Sequence, residues 1–472
     1  MGKKSVNPIP TAPGFFPDCV RAAVHFLSCI QKAGFLSGLL LGMTSVASAT
    51  PFLSGADFSH LAFFESRGVT YKDGGQVQDG IQILKQHGIN CVRLRLFTSS
   101  TAQAATDPYN YINNTAYTVP LAVRVKNAGL LFCLDFHYSD TWADPTHQAT
   151  PAAWASLNFA QMVQQMRTYN SNTIAAFAAA GAMPDFVQIG NEITQGMLFT
   201  NSAGATIGKV SGSYNTSWSQ LGQLMNAAIQ GIRDVTNATG AQMPKIIVHI
   251  DRGGDWATTM WFFDNLNFQG VPYDIIGESY YPFFHGDPTN LNFCLTNAAA
   301  RYAKPIIVAE DAFPYTNTCP TAWKSQLFGY PPTPDGQVSF IATVAQIVKG
   351  VPNHLGAGFF YWGTEYQTVS GVNEAGFNTA SFFDAGGNVL PVADAVGGMA
   401  APLLIQPSLV GSNIQLQWPF SGAASKLTTS TILGPSTTWS PVPDPVQTTG
   451  AVFTVTLPVD PSQGRFYRLQ SN

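Results

Sequence analysis

Two glutamates carry the strongest chemical signal in the chain: Glu192, in Gln188-Ile-Gly-Asn-Glu-Ile193, and Glu310, directly after Pro305-Ile-Ile-Val-Ala309. Each closes a short apolar run of strand length, and they stand 310 − 192 = 118 residues apart. Cleaving an acetal needs one carboxylic acid to protonate the departing oxygen and one carboxylate on the far side of the anomeric carbon. Glu310, after a buried run and near Arg93 and Arg95, is expected to stay ionised and attack as the nucleophile. Glu192 is expected to be held protonated by that neighbouring charge, to act as general acid, and then to switch to base. A carboxyl separation of roughly 5–5.5 Å gives double displacement with retention. Asn191 is placed to meet a sugar 2-hydroxyl, and Trp362 to floor the ring at the cleavage point. Arg93, His137, Asp140, Trp142, Asp251, Trp256 and Tyr280 complete the candidate substrate contacts. Asp135 shares the face of His137 and is expected to orient Arg93. His249, with no ligand cluster around it, reads as structural.

What must hold these residues in place is legible in the hydrophobic pattern. From about residue 55 to 400, short β-like runs alternate with segments of helix length. The strand candidates are 90–97, 130–136, 186–189, 245–250, 274–277, 305–309 and 356–362, with a run at 52–58 opening the series. The intervening helical stretches include 77–87, 119–128, 159–180, 218–236 and 337–349. Near-continuous apolar strands separated by helices indicate a parallel sheet covered on its faces. Eight such units over this length fit a (β/α)8 TIM barrel, in which the loops after the strands' C-terminal ends build the active site. The notable polar residues all fall at those ends. A doubly wound open sheet is the rival, but no glycine-rich phosphate loop follows the first strand. After residue 400 the composition shifts to Ser, Thr, Pro and Val, with period-two runs at 413–418 and 452–457. This tail, 403–472, reads as a small all-β sandwich module with no catalytic cluster. Its tryptophans, Trp418 and Trp439, read as core.

Composition narrows the partners. The chain has 472 residues, 45% hydrophobic, 12% aromatic and only 11% charged, with a net charge of −4. No basic run is present, so the footprint of a nucleic-acid binder is missing. Abundant aromatics with few charges suit a neutral, stackable ligand such as a sugar. Residues 1–49 read as a secretory signal peptide: a basic region, an uncharged apolar stretch at 34–46, and Ala47-Ser48-Ala49. The expectation is therefore a secreted protein (extracellular, periplasmic or on the cell surface), monomeric, with no membrane association once the signal is cleaved. Residues 50–400 would be the catalytic domain. Of the four cysteines beyond the leader, Cys91 and Cys133 read as buried thiols, and Cys294 with Cys319 is the pair more open to a bridge. Their spacings match no zinc pattern.

The motifs also carry a family likeness. Gly55-Ala-Asp-Phe-Ser59, Val92-Arg-Leu-Arg95, Asp135-Phe-His-Tyr-Ser-Asp-Thr-Trp-Ala-Asp-Pro145, Gln188-Ile-Gly-Asn-Glu-Ile193, His249-Ile-Asp251, Ser279-Tyr-Tyr-Pro-Phe283 and Phe360-Tyr-Trp362 resemble glycoside hydrolase family 53. Over about residues 53–395 the resemblance implies an endo-β-1,4-galactanase acting on galactan, the type I arabinogalactan of pectin; the alternatives are a related clan member acting on another β-1,4-glycan and a catalytically silent galactan-binding protein. It places Glu192 as acid/base and Glu310 as nucleophile, with Arg93, His137, Asn191, Tyr280 and Trp362 around the −1 sugar. The chain departs from the family pattern at Gly363-Thr-Glu-Tyr366, at Asp311 and at Arg252. The loop after strand eight, where some bacterial members bind calcium, lacks a clear acidic cluster, so no metal or other cofactor is expected.

Overall fold

A computed structural model describes residues 51–471, except 435–436 and 461–463. The signal expected at 1–49 lies outside the described residues. Eight parallel strands close into a barrel: β1 (Leu53–Asp57), β2 (Cys91–Leu96), β3 (Leu131–Phe136), β4 (Phe186–Ile189), β5 (Lys245–Ile250), β6 (Ile275–Ser279), β7 (Ile306–Asp311) and β8 (Gly356–Tyr361). Each strand pairs with its neighbours in sequence, and β1 pairs with β8 to close the ring. The strands are apolar on both faces because one face looks into the barrel and the other meets helices. Leu53, Cys91, Cys133, Phe186, Ile247, Ile275, Ile307 and Phe360, one from each strand, form a buried layer that fills the interior. Gly55 is required there, since a Cβ at that position would lie 2.1 Å from the Phe360 ring.

The helices show why this sequence wraps the sheet. Helix α1 (Phe159–Ala179) opens with Asn158 and Gln161 capping each other's backbone N–H groups, which satisfies donors the first turn leaves open. Helix α2 (Thr216–Thr239) buries Trp218, Leu221, Leu224, Met225, Ala228, Ile232 and Val235 at three-to-four-residue spacing, the stripe of a helix lying on a sheet. It stops at Gly240, whose φ is +71°, a left-handed cap that favours glycine. Helices at Trp256–Phe268 and Pro288–Tyr302, which the sequence pattern did not single out, complete the fifth and sixth crossovers. All four cysteines of this region are free and buried. The bridge considered between Cys294 and Cys319 is not formed, and the Cys294 thiol instead faces the Thr259 hydroxyl and the Arg252 carbonyl.

The tail forms two antiparallel sheets. One has four strands, β9 (Gln406–Val410), β10 (Asn413–Pro419), β13 (Gln447–Thr449) and β14 (Val452–Pro458). The other has three, β11 (Ser425–Ser430), β12 (Ser440–Pro441) and β15 (Phe466–Ser471). Trp418 is buried as expected of core, whereas Trp439 is half-exposed with the Arg468 guanidinium 4.3 Å above its ring. Phe420, fully buried after β10, packs against the barrel helices α3 (Pro334–Lys349) and α4 (Val392–Gly398). Ending the chain at residue 402 is therefore expected to lower the melting temperature. The loss of Phe420 burial alone is worth about 2–3 kcal/mol. The kcat of the folded fraction should stay unchanged, because no described tail residue lines the cleft presented next.

Candidate active site

Three local irregularities aim the polar side chains. Along β7, Ile307 and Ala309 face the barrel interior, so strict alternation would send Glu310 outward. The pairing of β7 with β6 slips by one residue, so that Ser279 stands beside Glu310 while Glu278 stands beside Val308. This bulge turns Glu310 inward and leaves Asp311 buried on the outer face. Burial drives the Asp311 carboxyl well above the usual carboxylate range. After β4 the chain turns through Gly190 at φ +86° and Glu192 at φ +49°, ψ +48°. A left-handed glutamate stores strain that the surroundings must hold. On β6, Ile275 lies in the interior layer, so period two brings Ser279 and Tyr281 to the same side and turns Tyr280 away.

Arg93 organises the floor of the site. Its Nη1 lies 2.8 Å from Glu310 Oε1 and 2.9 Å from Asp57 Oδ2, and its Nη2 donates to Asp135 Oδ2 and Asn191 Oδ1, both at 2.8 Å. Burial works against the charged guanidinium, but Asp135, Glu310 and Asp57 outweigh it and hold Arg93 firmly protonated. Asp135 shows the reciprocal effect: burial raises it, yet Arg93 and His137 bring it below the ordinary value. Glu310 also receives the Tyr281 hydroxyl at 2.9 Å. Burial pushes Glu310 up to about 7, against the pull of Arg93 and of the Tyr281 hydrogen bond. Removing that donor with Tyr281→Phe destabilises only the ionised form. The acid limb of kcat/KM is expected to move to higher pH by about one to two units, since a hydrogen bond to a charged group is worth ~1.5–3 kcal/mol; a pH profile of the variant checks it.

Among the described residues no cation pairs with Glu192. Burial, then Glu310, then Asp251 raise it well above the usual carboxyl range, opposed by the Ser279 hydroxyl 2.6 Å from its Oε1. The two glutamates thus differ in surroundings, and that difference favours one proton shared unequally between them. Both line a cleft of about 620 Å3 at the C-terminal mouth of the barrel, together with His137, Trp142, Asn191, Asp251 and Trp362. The Arg95 guanidinium lies 4.3 Å from the Trp142 ring and 5.6 Å from the Trp362 ring, backing the aromatic wall from beneath. Trp142 also donates its indole N–H to Asn110. His137 has no nitrogen left for a ligand: Nδ1 accepts from the Ala143 amide at 2.9 Å, and Nε2 lies 3.0 Å from Asp135. Only its ring surface can meet a substrate. Asp251 accepts from Thr194, and burial raises its carboxyl to about 6.

Three expected contacts lie elsewhere. Asp140 is absent from the cleft wall; it accepts from Thr98, Gln103 and the Ala152 amide and so ties loops together. Trp256 begins the helix after β5 and packs on Tyr302. Tyr280 is fully buried, donating to the Gly286 carbonyl and stacking on Phe340. Its neighbour Tyr281 occupies the cleft in its stead, which the parity of Ile275 and Ser279 signals. Also lining the cleft are Tyr109, Phe284 and the 373–377 loop, which follow no strand end closely enough for sequence spacing to reveal them, and Arg252, just beyond the end of β5. A larger hollow of about 790 Å3 lies at the opposite ends of the strands, around Lys126, Asp185 and Lys245. Its Lys126–Asp185 pair is a 2.8 Å salt bridge and no two carboxyls among the described residues converge there, so size does not mark the site. Among the described residues no group of three or more His, Cys, Asp or Glu is placed to hold a metal ion.

A closed parallel barrel with two unlike carboxyls facing one cleft at its C-terminal mouth has the architecture of a glycoside hydrolase. The chain belongs to glycosyl hydrolase family 53, whose sequence pattern matches residues 53–396. It is 35% identical over 329 residues to the probable arabinogalactan endo-beta-1,4-galactanase A of Neosartorya fischeri, covering 67% of this chain and 85% of that protein. It is also 35% identical over 318 residues to the arabinogalactan endo-beta-1,4-galactanase of Humicola insolens, covering 65% of this chain and 88% of that one. Among solved structures it resembles a fungal beta-1,4-galactanase, with a TM-score of 0.62 and 31% identity over 73% of this chain and 98% of the other. The GH53 catalytic domain of Ignisphaera aggregans gives a TM-score of 0.65 at 29% identity, over 75% of this chain and 97% of that domain.

Proposed function

We propose that this enzyme is a secreted, endo-acting β-1,4-galactanase that hydrolyses the galactan of type I arabinogalactan with retention of configuration. The observation that carries the mechanism is the asymmetry of the two glutamates: Arg93 and Tyr281 hold Glu310, while burial and like charges surround Glu192. Glu310 attacks C1 as Glu192 gives its proton to the glycosidic oxygen, and the C1–O bond to the leaving sugar breaks. Glu192, now a carboxylate, takes a proton from water; the water oxygen bonds to C1, and Glu310 departs. The short carboxyl spacing of a double displacement is supported by Ser279, which holds Glu192 and is the cross-strand neighbour of Glu310. Trp362 and Trp142 offer stacking faces to the sugar, and the Asn191 amide lies beside Glu192 for its 2-hydroxyl. Secretion accords with the leader motif in the sequence and with the finding that no helix among the described residues is long and apolar enough to cross a membrane.

The test is a product profile on linear β-1,4-galactan with the anomeric configuration followed by NMR. The expected first product is a β-anomeric galacto-oligosaccharide. First release of the α-anomer would refute retention, and hydrolysis of β-1,4-mannan or glucan in place of galactan would refute the substrate.

A further inference from the structure

Behind Glu192 runs a buried chain of hydrogen-bonding groups that the hydrolysis itself does not consume. Ser279 Oγ lies 2.6 Å from Glu192 Oε1 and 2.8 Å from His249 Nε2; His249 Nδ1 lies 3.0 Å from Asn191 Oδ1 and 3.0 Å from Gln188 Nε2. Ser279 and His249 are both fully buried. The serine has one proton and the neutral imidazole one proton, so with Glu192 Oε1 either carrying the acid's proton, as in the substrate-free site, or bare, the chain closes in two ways. With Glu192 protonated, the acid donates to Ser279 Oγ, Ser279 donates to His249 Nε2, and His249 Nδ1–H donates to Asn191. With Glu192 ionised, Ser279 must donate to the carboxylate, His249 must donate from Nε2 to Ser279, and its bare Nδ1 takes an N–H of Gln188. The imidazole stays neutral throughout, because burial and then Arg93 hold it well below its ordinary range.

We propose that Ser279 and His249 are positioning residues for the acid/base, forming a relay in which the tautomer of His249 follows the proton on Glu192. The proposal rests on the reading of Glu192 as acid/base. The relay reaches the other half of the site, since Asn191 Oδ1 also accepts from Arg93, which holds Glu310. When Glu192 loses its proton, Asn191 loses one donor and its bond to Arg93 carries more of the load. The other titratable groups facing Glu192 are Glu310 on β7, Asp251 beyond β5, Asp144 in the loop after β3 and Tyr281 beyond β6. Those facing His249 are Arg93 on β2, Asp135 on β3 and His137 just after β3. None of them hydrogen-bonds Ser279 Oγ, and the hydrogen-bonded link between Glu192 and the His249 ring runs through Ser279.

The experiment is a pH titration of the full chain carrying 15N-labelled histidine, without substrate, with His249 assigned by its loss in His249→Gln. Glu192 is followed in parallel by carboxyl 13C NMR, assigned with Glu192→Gln. The expected result is that the protonated and bare ring nitrogens of His249 exchange as Glu192 titrates, with no imidazolium formed. In Ser279→Ala the tautomer should stay fixed through that range. The alkaline limb of kcat/KM should also move up by about one unit, because the carboxylate loses a charge-assisted donor; Ser279→Thr should restore both. A single tautomer across the Glu192 titration, or a switch that persists in Ser279→Ala, overturns the proposal. Should Ser279→Ala not fold, the wild-type titration decides alone. Wild-type protein that releases nothing from galactan would sink the functional reading and leave the tautomer result standing separately.

Discussion

Glu310→Ala is expected to lower kcat on galactan by roughly 10⁵- to 10⁶-fold, the loss associated with removing a covalent nucleophile. Glu192→Ala should cost about 10²- to 10⁴-fold on the same substrate, the span of general acid–base assistance. The two variants separate further by leaving group. An aryl galactobioside whose phenol departs without protonation should still form the glycosyl–enzyme in Glu192→Ala, giving a burst of phenol followed by slow turnover. In Glu310→Ala no burst should occur. Azide extends the distinction: in the space left by Glu192 it attacks the covalent intermediate and yields the β-glycosyl azide. In the space left by Glu310 it attacks substrate directly and yields the α-azide. Identical azide anomers from both variants would show that the roles assigned to the two glutamates are wrong. Stopped-flow phenol release and NMR of the azides are the measurements.

How far the sequence reveals this site depends on where a residue sits relative to regular structure. The barrel was legible because its strands are short apolar runs and its helices carry apolar stripes; every expected strand from 90–97 to 356–362 overlaps an observed one. Arg93 and Arg95, two apart on a regular strand, share the interior face by alternation alone. Glu310 faces the cleft through a slipped register that no pattern of residue types announces. Tyr280 was expected where Tyr281 stands, although alternation from Ile275 assigns them correctly once the strand's extent is known. Asp140 falls where a long loop turns back on itself and Trp256 opens the helix after β5, and there distance along the chain says little about direction. Asp140 ends up bridging Thr98, Gln103 and Ala152, three groups scattered over some fifty residues. Such loops are positioned by tertiary hydrogen bonds, which composition does not encode.

Arg93→Met should be the most damaging single change to stability and should also close the pH window for catalysis. The side chain is 1% exposed and touches Asp57, Asp135 and Glu310. Removing one partner of a buried charge cluster leaves the others desolvated and unpaired, a loss of about 3–5 kcal/mol. The loss should depend on pH in a defined direction. In the native protein Asp135 lies below its ordinary value, so it contributes stability above its unfolded pKa and loses it as pH falls through the lower, folded one. Without Arg93 the sign reverses: burial now raises the folded pKa above the unfolded one, the native state binds protons more tightly, and stability falls as pH rises between the two. Thermal melts of Arg93→Met should therefore show a larger deficit against wild type at pH 8 than at pH 5, and an equal deficit at both would contradict the account. Catalysis follows the same sign. Glu310, freed from the cation that opposes its burial, keeps its proton to higher pH, and the acid limb of the pH–rate profile climbs toward the alkaline limb set by Glu192. Because turnover needs Glu310 ionised and Glu192 protonated together, the bell should narrow and its maximum fall by at least about 100-fold.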